Sequence, residues 1–247
     1  MFWFKPTKIV VDCFTYHHSI FDFYRPVKAS NFIPDGWKAL PKKVDLRCFP
    51  NNPESKMYVD GATAKTCVGF INLYRSGFIL QNAVELNLEI TKEGNLNAHS
   101  TDPMRPMQVS QHDTYQVWDT FYKDYAHIKL TPPWSIVEKT GVNFMFTKCT
   151  WNDTHMADNF HVLNGILDYK IQHNCAVNFY AKKESIVKLY AGQPLAHIIP
   201  LSEKKIELRY HLISSEEYMH RFGFVPANRL YPEFERVKKQ CPFGFGK

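Results

Sequence analysis

The chain has 247 residues, 45% of them apolar and 22% charged, an ordinary globular balance that excludes wholesale disorder. An aromatic content of 15% suits packed sheets better than a helical bundle. The 30 Lys and Arg against 24 Asp and Glu leave a net charge of +6, which favours solubility and is too mild to argue for nucleic acid.

In chain order, Lys8 to Phe14 reads as a strand within an otherwise irregular first sixty residues, where Pro26, Pro34, Pro41, Pro50 and Pro53 interrupt any long element. Asp35 to Leu40 is at most one helical turn, closed by Pro41. Thr66 to Gly77 carries Val68, Ile71 and Tyr74 at helical spacing, which predicts a short helix with Thr66 as cap and Gly77 as stop. Phe78 to Ile90 reads as one strand, alternating over its second half, and Glu93-Gly94-Asn95 is turn chemistry. Pro103 and Pro106 mark a loop.

From Tyr125 onward strand signals dominate. Strands are expected at Ala126 to Leu130, Trp134 to Val137, Val142 to Thr147, Val162 to Leu167, Cys175 to Tyr180, Ile186 to Tyr190 and Ala196 to Leu201. Their close spacing points to a sandwich or barrel rather than βαβ units. Lys204 to Ile213 adds one more strand. Ser214 or Ser215 then caps a helical turn with Glu217 in a capping box. Pro232 to Lys239 places acids first and lysines last, as a helix dipole favours, and the end from Cys241 to Gly246 is a loop.

The six cysteines, Cys13, Cys48, Cys67, Cys149, Cys175 and Cys241, form no C-x-x-C pair, so buried reduced thiols are expected. Ile9 to Val11 is too short for a signal-peptide core, and no apolar run has the length of a membrane span. A soluble protein of a reducing compartment is the expectation, in which the sequon Asn152-Asp153-Thr154 carries no meaning.

Three segments carry a resemblance. Thr131-Pro132-Pro133-Trp134-Ser135 resembles the PPG segment of the dUTPase and dCTP-deaminase superfamily. Val162 to Tyr169 resembles its GVID-x-DY hairpin, and Ala191 to Ile199 its G-x-x-IAQ-x-I strand, in matching order and spacing. A second resemblance is to an uncharacterised family of tailed phages and bacteria. It rests on Cys67 to Ile79, with the helix ending Ser76-Gly77-Phe78, on the Thr131 segment and on the Gly165 hairpin. Both imply a mainly β, β-clip (dUTPase-like) barrel or sandwich with short helices before and after it. The expected organisation is a single domain over 1–247: an irregular α+β part at 1–124, a β-clip core at 125–201, and a strand, helices and tail at 202–247.

The resemblance implies a phosphate grip of Arg-Ser type after the Pro-Pro segment. Here that place reads Val137-Glu138-Lys139-Thr140-Gly141, and Glu138 would repel a triphosphate. Asp168 matches the superfamily's water-orienting aspartate, which needs the water within reach; the other reading is a hairpin-turn residue. His197 stands at the superfamily's glutamine, and Phe245 echoes the phenylalanine that covers the base. Candidate ligand contacts are therefore Lys139, Asp168, Tyr169, His197 and Phe245. Arg75-Ser76-Gly77 spells the grip motif but precedes a strand, so Gly77 reads as a helix stop. Lys38, Lys42, Lys43, Lys204 and Lys205 read as solvated faces.

His17-His18, His112-Asp113, His155 and His161 lack the spacing that puts two metal ligands on one face, so no metal is expected. The expected function is a non-enzymatic structural, assembly or binding protein, in a phage particle or accessory to one, needing no cofactor. Its expected partners are further copies of itself or other subunits of a viral assembly, with neither membrane nor nucleic acid, in host cytoplasm or virion. The alternative is a divergent dUTP- or dCTP-type hydrolase or deaminase using Asp168 with Mg²⁺.

Overall fold

The computed structural model describes residues 8–48, 51, 60–102, 107–113, 123–149, 151 and 159–223. The expectations on the 103–106 loop, on 152–155, on the helix and tail after 223, and on Cys241 and Phe245 lie outside the described residues.

The chain is mainly β. Its first half runs β1 (Lys8–Thr15), α1 (His18–Phe23), β2 (Val27–Lys28), α2 (Asp35–Ala39), β3 (Lys43–Asp45), β4 (Asp60–Ala62), α3 (Val68–Arg75), β5 (Phe78–Gln81), β6 (Leu86–Ile90), β7 (Leu96–Ser100) and β8 (Gln108–Gln111). The second half runs β9 (Tyr125–Thr131), β10 (Ser135–Glu138), β11 (Asn143–Thr147), β12 (Phe160–Val162), β13 (Gly165–Asp168), β14 (Val177–Lys182), β15 (Ser185–Leu189), β16 (Pro194–Pro200), β17 (Lys205–Leu212) and α4 (Ser215–Phe222). Between Tyr125 and Leu201 every described regular element is a strand.

The strands form open sheets, ordered β10-β1-β17, β13-β11-β16-β5-β2, β12-β14-β9-β8 and β15-β6-β7, with the pair β3-β4 apart. No sheet closes into a barrel among the described residues, so the barrel half of the expectation is not met. All pairings are antiparallel except β1 with β17, which run parallel from Lys8↔Lys205 to Thr15↔Leu212. One apolar core joins the four larger sheets, with Ile9 and Val11 of β1, Phe78 of β5, Leu88 of β6, Ile128 of β9, Phe144 of β11 and Phe179 of β14 wholly buried.

Four expectations are corrected. Phe78 to Ile90 is two strands in different sheets, because buried Asn82 turns the chain: its side-chain amide donates to Val84 O (2.5 Å) and Tyr190 O (3.1 Å). Val162 to Leu167 is likewise divided, β12 pairing with β14 and β13 with β11. Thr66 closes a 3-10 turn by donating to Thr63 O (2.9 Å), and Cys67 occupies the cap position of α3. Of the described cysteines, Cys13, Cys149 and Cys175 are buried, but Cys48 and Cys67 lie at the ends of 3-10 turns on the surface and are exposed.

The first sixty residues also hold α1, β2 and the start of the β3-β4 pair, which no alternation announces. β7 and β8 were equally invisible. Their residues are polar or half-exposed, and their pairing with β6 and β9 holds them. At the other end the capping box is present: Ser214 Oγ accepts from Glu217 N (3.1 Å) at the start of α4.

Candidate functional site

The residues singled out by resemblance separate along β11. Asp168 pairs with Asn143 at one end of that strand and His197 with Thr147 at the other, positions about 13 Å apart along β11 at the rise of an extended chain. Lys139 is exposed in the β10–β11 turn, at the Asp168 end, where Glu138 N donates to Tyr169 O (3.4 Å). Lys139, Asp168 and Tyr169 are thus neighbours, and His197 belongs elsewhere.

Glu138 lies at the end of β10 and is wholly buried. Its Oε1 accepts from Thr140 N (2.8 Å) and from the Thr140 hydroxyl. Its Oε2 accepts from Gly141 N (2.8 Å) and Val142 N (3.1 Å). Successive backbone amides turned inward form a concavity that attracts anions. Here the chain's own carboxylate fills it. This is the place where the resemblance implies a phosphate grip, and the amides that could have met a phosphate are already engaged.

Asp168 ends β13. Its Oδ1 accepts from Lys170 N (2.8 Å), and its carbonyl accepts from Ile171 N (3.1 Å) and Gln172 N (2.9 Å). That is an aspartate shaping its own turn, and it lines none of the three clefts described below.

Tyr169 is wholly buried against Phe144, with ring centroids 5.2 Å apart, and burial holds its phenol well above the usual range. His197 is also buried. Its Nε2 lies 2.7 Å from Ser76 O, an acceptor, so Nε2 carries the proton; Nδ1 accepts from Trp151 Nε1 (3.4 Å). Both nitrogens are used inside the protein, and burial lowers the pKa below 6.5, with the Ser76 bond opposing. Neither ring is presented to a ligand.

A cleft with a volume of ≈ 850 Å³ lies elsewhere. The Pro132-Pro133 segment and Ser135 form one wall and Tyr218 of α4 another. Ser135 Oγ and the Tyr218 hydroxyl are 2.8 Å apart, and the Tyr16 ring packs on Tyr218 with centroids 4.8 Å apart. His17 stacks on Tyr16 at 4.0 Å, and burial lowers its pKa while Asp102 opposes. Hydroxyls and amides share the lining with a comparable number of apolar residues, and among the described residues Lys129 is the one Lys, Arg, Asp or Glu in it. Such a wall suits a neutral polar ligand better than a triphosphate. None of the described candidate ligand contacts lines this cleft. Tyr16 and Tyr218, far apart in sequence, had no signal linking them.

Two further clefts, of ≈ 510 and ≈ 520 Å³, adjoin each other and share Lys28, Lys205 and Ile206. Among the described residues no group of three or more His, Cys, Asp or Glu could hold a metal ion, and no helix is long and apolar enough to cross a membrane. No protein-family model matches the chain, and no curated protein sequence matches it.

Proposed function

We propose that the chain is a non-catalytic binding or assembly protein of β-clip type, one in which the phosphate-handling apparatus of the dUTPase-like superfamily has been converted into turn structure. The observation that carries this reading is Glu138, whose buried carboxylate occupies the backbone amides of the β10–β11 turn. A triphosphate would have to displace a carboxylate held by three amides and a hydroxyl. Lys139 would then supply a point charge in place of a bidentate arginine clamp. Asp168 supports the same reading, because its carboxylate is bound to its own turn.

Self-association fits the exposed apolar residues on sheet edges. Ile166 is 62% exposed on β13, and Ile186 is 61% exposed on β15. Both are edge strands among the described residues, and an apolar edge is a template for pairing with another chain. Assembly into a viral particle is the setting that the phage resemblance suggests.

The test is a panel of nucleoside triphosphates with Mg²⁺ and with Mn²⁺, applied to the wild type and to Asp168→Asn. No turnover above background is expected from either protein. Turnover by the wild type that disappears in Asp168→Asn would establish the alternative, a divergent nucleotide hydrolase or deaminase. Light scattering should give a mass above that of one chain; a clean monomer at all concentrations would remove the assembly half of the proposal.

A further inference from the structure

The two smaller clefts lie where three elements meet: the end of α3, the edge strand β2, and the turn from β16 into β17. Backbone contacts lock these elements together. Phe78, the first residue of β5, pairs with Lys28 on one side and Ile198 on the other. Ala29 N donates to Gly77 O (3.2 Å). Gly77 has φ +71, and a Cβ on it would lie 1.9 Å from Ile198 O, so the helix end sits directly on the β16 backbone.

Around this junction the ≈ 510 Å³ cleft is lined by Lys28, Arg75, Lys204 and Lys205, opposed by the single carboxylate of Glu203. None of the four cations makes an ion pair with a described residue. Their neighbours differ. In the adjoining cleft Lys8 is bound to Glu207 (3.3 Å), which also holds Arg209 (2.8 Å). Beyond Lys205 one carboxylate is thus shared by two cations, whereas in the ≈ 510 Å³ cleft Glu203 stands against four. Two carbonyls just past α3 are engaged: Ser76 O accepts from His197 and Gly77 O from Ala29.

We propose that this cleft is a binding site for a phosphoryl group, carried by a small phosphate or a phosphate ester. Arg75 supplies planar, bidentate recognition, and Lys28, Lys204 and Lys205 supply point charges. Four cations against one carboxylate are more than enough to meet the charge of a phosphoryl group, which is about −1.5 to −2 at neutral pH. An extended nucleic-acid strand is a poorer match. It needs a basic groove that tracks several phosphates and aromatic rings on which bases stack. Here the flanking Lys8 and Arg209 are engaged with Glu207, and among the described residues no aromatic one lines the basic cleft. Lys204 and Lys205, which the sequence presents as a solvated face, thus acquire a partner surface from Arg75 and Lys28. The site is distinct from the Glu138 turn, and the proposal does not depend on whether the protein is catalytic.

Calorimetric titration of the full chain with pyrophosphate and with ATP, at low salt and without metal, tests it. Saturable binding of at least one is expected. Binding of both alike means that the phosphoryl group alone is recognised, and binding of ATP alone means that the ester is required. Loss of the arginine contacts in Arg75→Gln should weaken binding by about 10-fold or more. Lys204→Gln with Lys205→Gln should also weaken it, and Lys188→Gln, at an exposed cation on β15, should not. Both cleft variants change surface side chains, and circular dichroism melting verifies that they remain folded. Three results would overturn the proposal: no saturation by either ligand, equal loss in Lys188→Gln and Arg75→Gln, or binding of a single-stranded oligonucleotide with neither small anion bound. Because turnover is judged on Asp168→Asn and binding on Arg75→Gln, failure here leaves the functional proposal standing, and the reverse holds too.

Discussion

A carboxylate taken out of water costs several kcal/mol unless its lone pairs are met. Glu138 meets that cost with donors from Thr140, Gly141 and Val142, all within four residues of it. Glu138→Gln keeps the shape, removes the charge and turns an NH₂ group toward amides that also donate. We expect a loss of about 2 kcal/mol in stability by urea denaturation, the scale of charged hydrogen bonds. An unchanged midpoint would mean that these bonds contribute nothing net. At the level of sequence Glu138 was legible as a departure from the arginine of a phosphate grip, and Asp168 already carried the turn alternative. What could not be read was where the carboxylate goes, because the bonds to Gly141 and Val142 exist only once the turn has closed. Tyr169 and His197 were hidden for a related reason. An aromatic or a histidine beside a motif looks the same whether it faces a ligand or the core, and burial on a sheet decides between them.

Among the elements, those with local chemical signals were the legible ones. The capping box of α4 and the strands β1, β9, β14, β16 and β17 follow from short-range pattern. Alternation along a strand names its buried face but not its sheet, and so the division of β5 from β6 and of β12 from β13 was not visible. Two glycines carry information that only packing reveals. Gly165 pairs with Phe146, whose ring would lie 2.4 Å from a Cβ at that position, so the glycine in the hairpin is a seat for an aromatic ring. Gly77 was legible as a helix stop, and the structure adds its close approach to Ile198 O. Gly77→Ala combines a left-handed backbone with a backbone collision and should cost on the order of 3 kcal/mol or more. Chemical denaturation measures it, and a loss below about 1 kcal/mol, the scale of an ordinary glycine exchange, would mean that α3 and β16 can separate freely.

For the whole molecule, three partly or fully buried histidines set the response to acid. His17, His127 and His197 all have pKa values below 6.5, burial being the largest cause in each, with the nearby His112 adding to it at His127. Below 6.5 the unfolded chain takes up protons that the folded chain refuses, so the unfolded state binds more protons and stability falls as pH falls through that window. Above 6.5 the stabilisation is fully present. The melting temperature should therefore be lower at about pH 5.5 than at about pH 7.5. Equal values would show that these imidazoles protonate as easily in the folded protein as outside it.

The parallel pairing of β1 with β17 has a consequence for how the protein is made. β1 lies between β10 and β17, so once it has left the ribosome it has no partner until Glu138 has been synthesised, and its second edge waits for Leu212. At ordinary elongation rates the interval from Thr15 to Leu212 is about 10–40 s. Through that time a strand carrying Ile9, Val11 and Cys13, all wholly buried in the finished fold, stands open along at least one edge. The central strand of this sheet is thus translated before both of its neighbours, and its exposure in the nascent chain lasts until the later of them arrives.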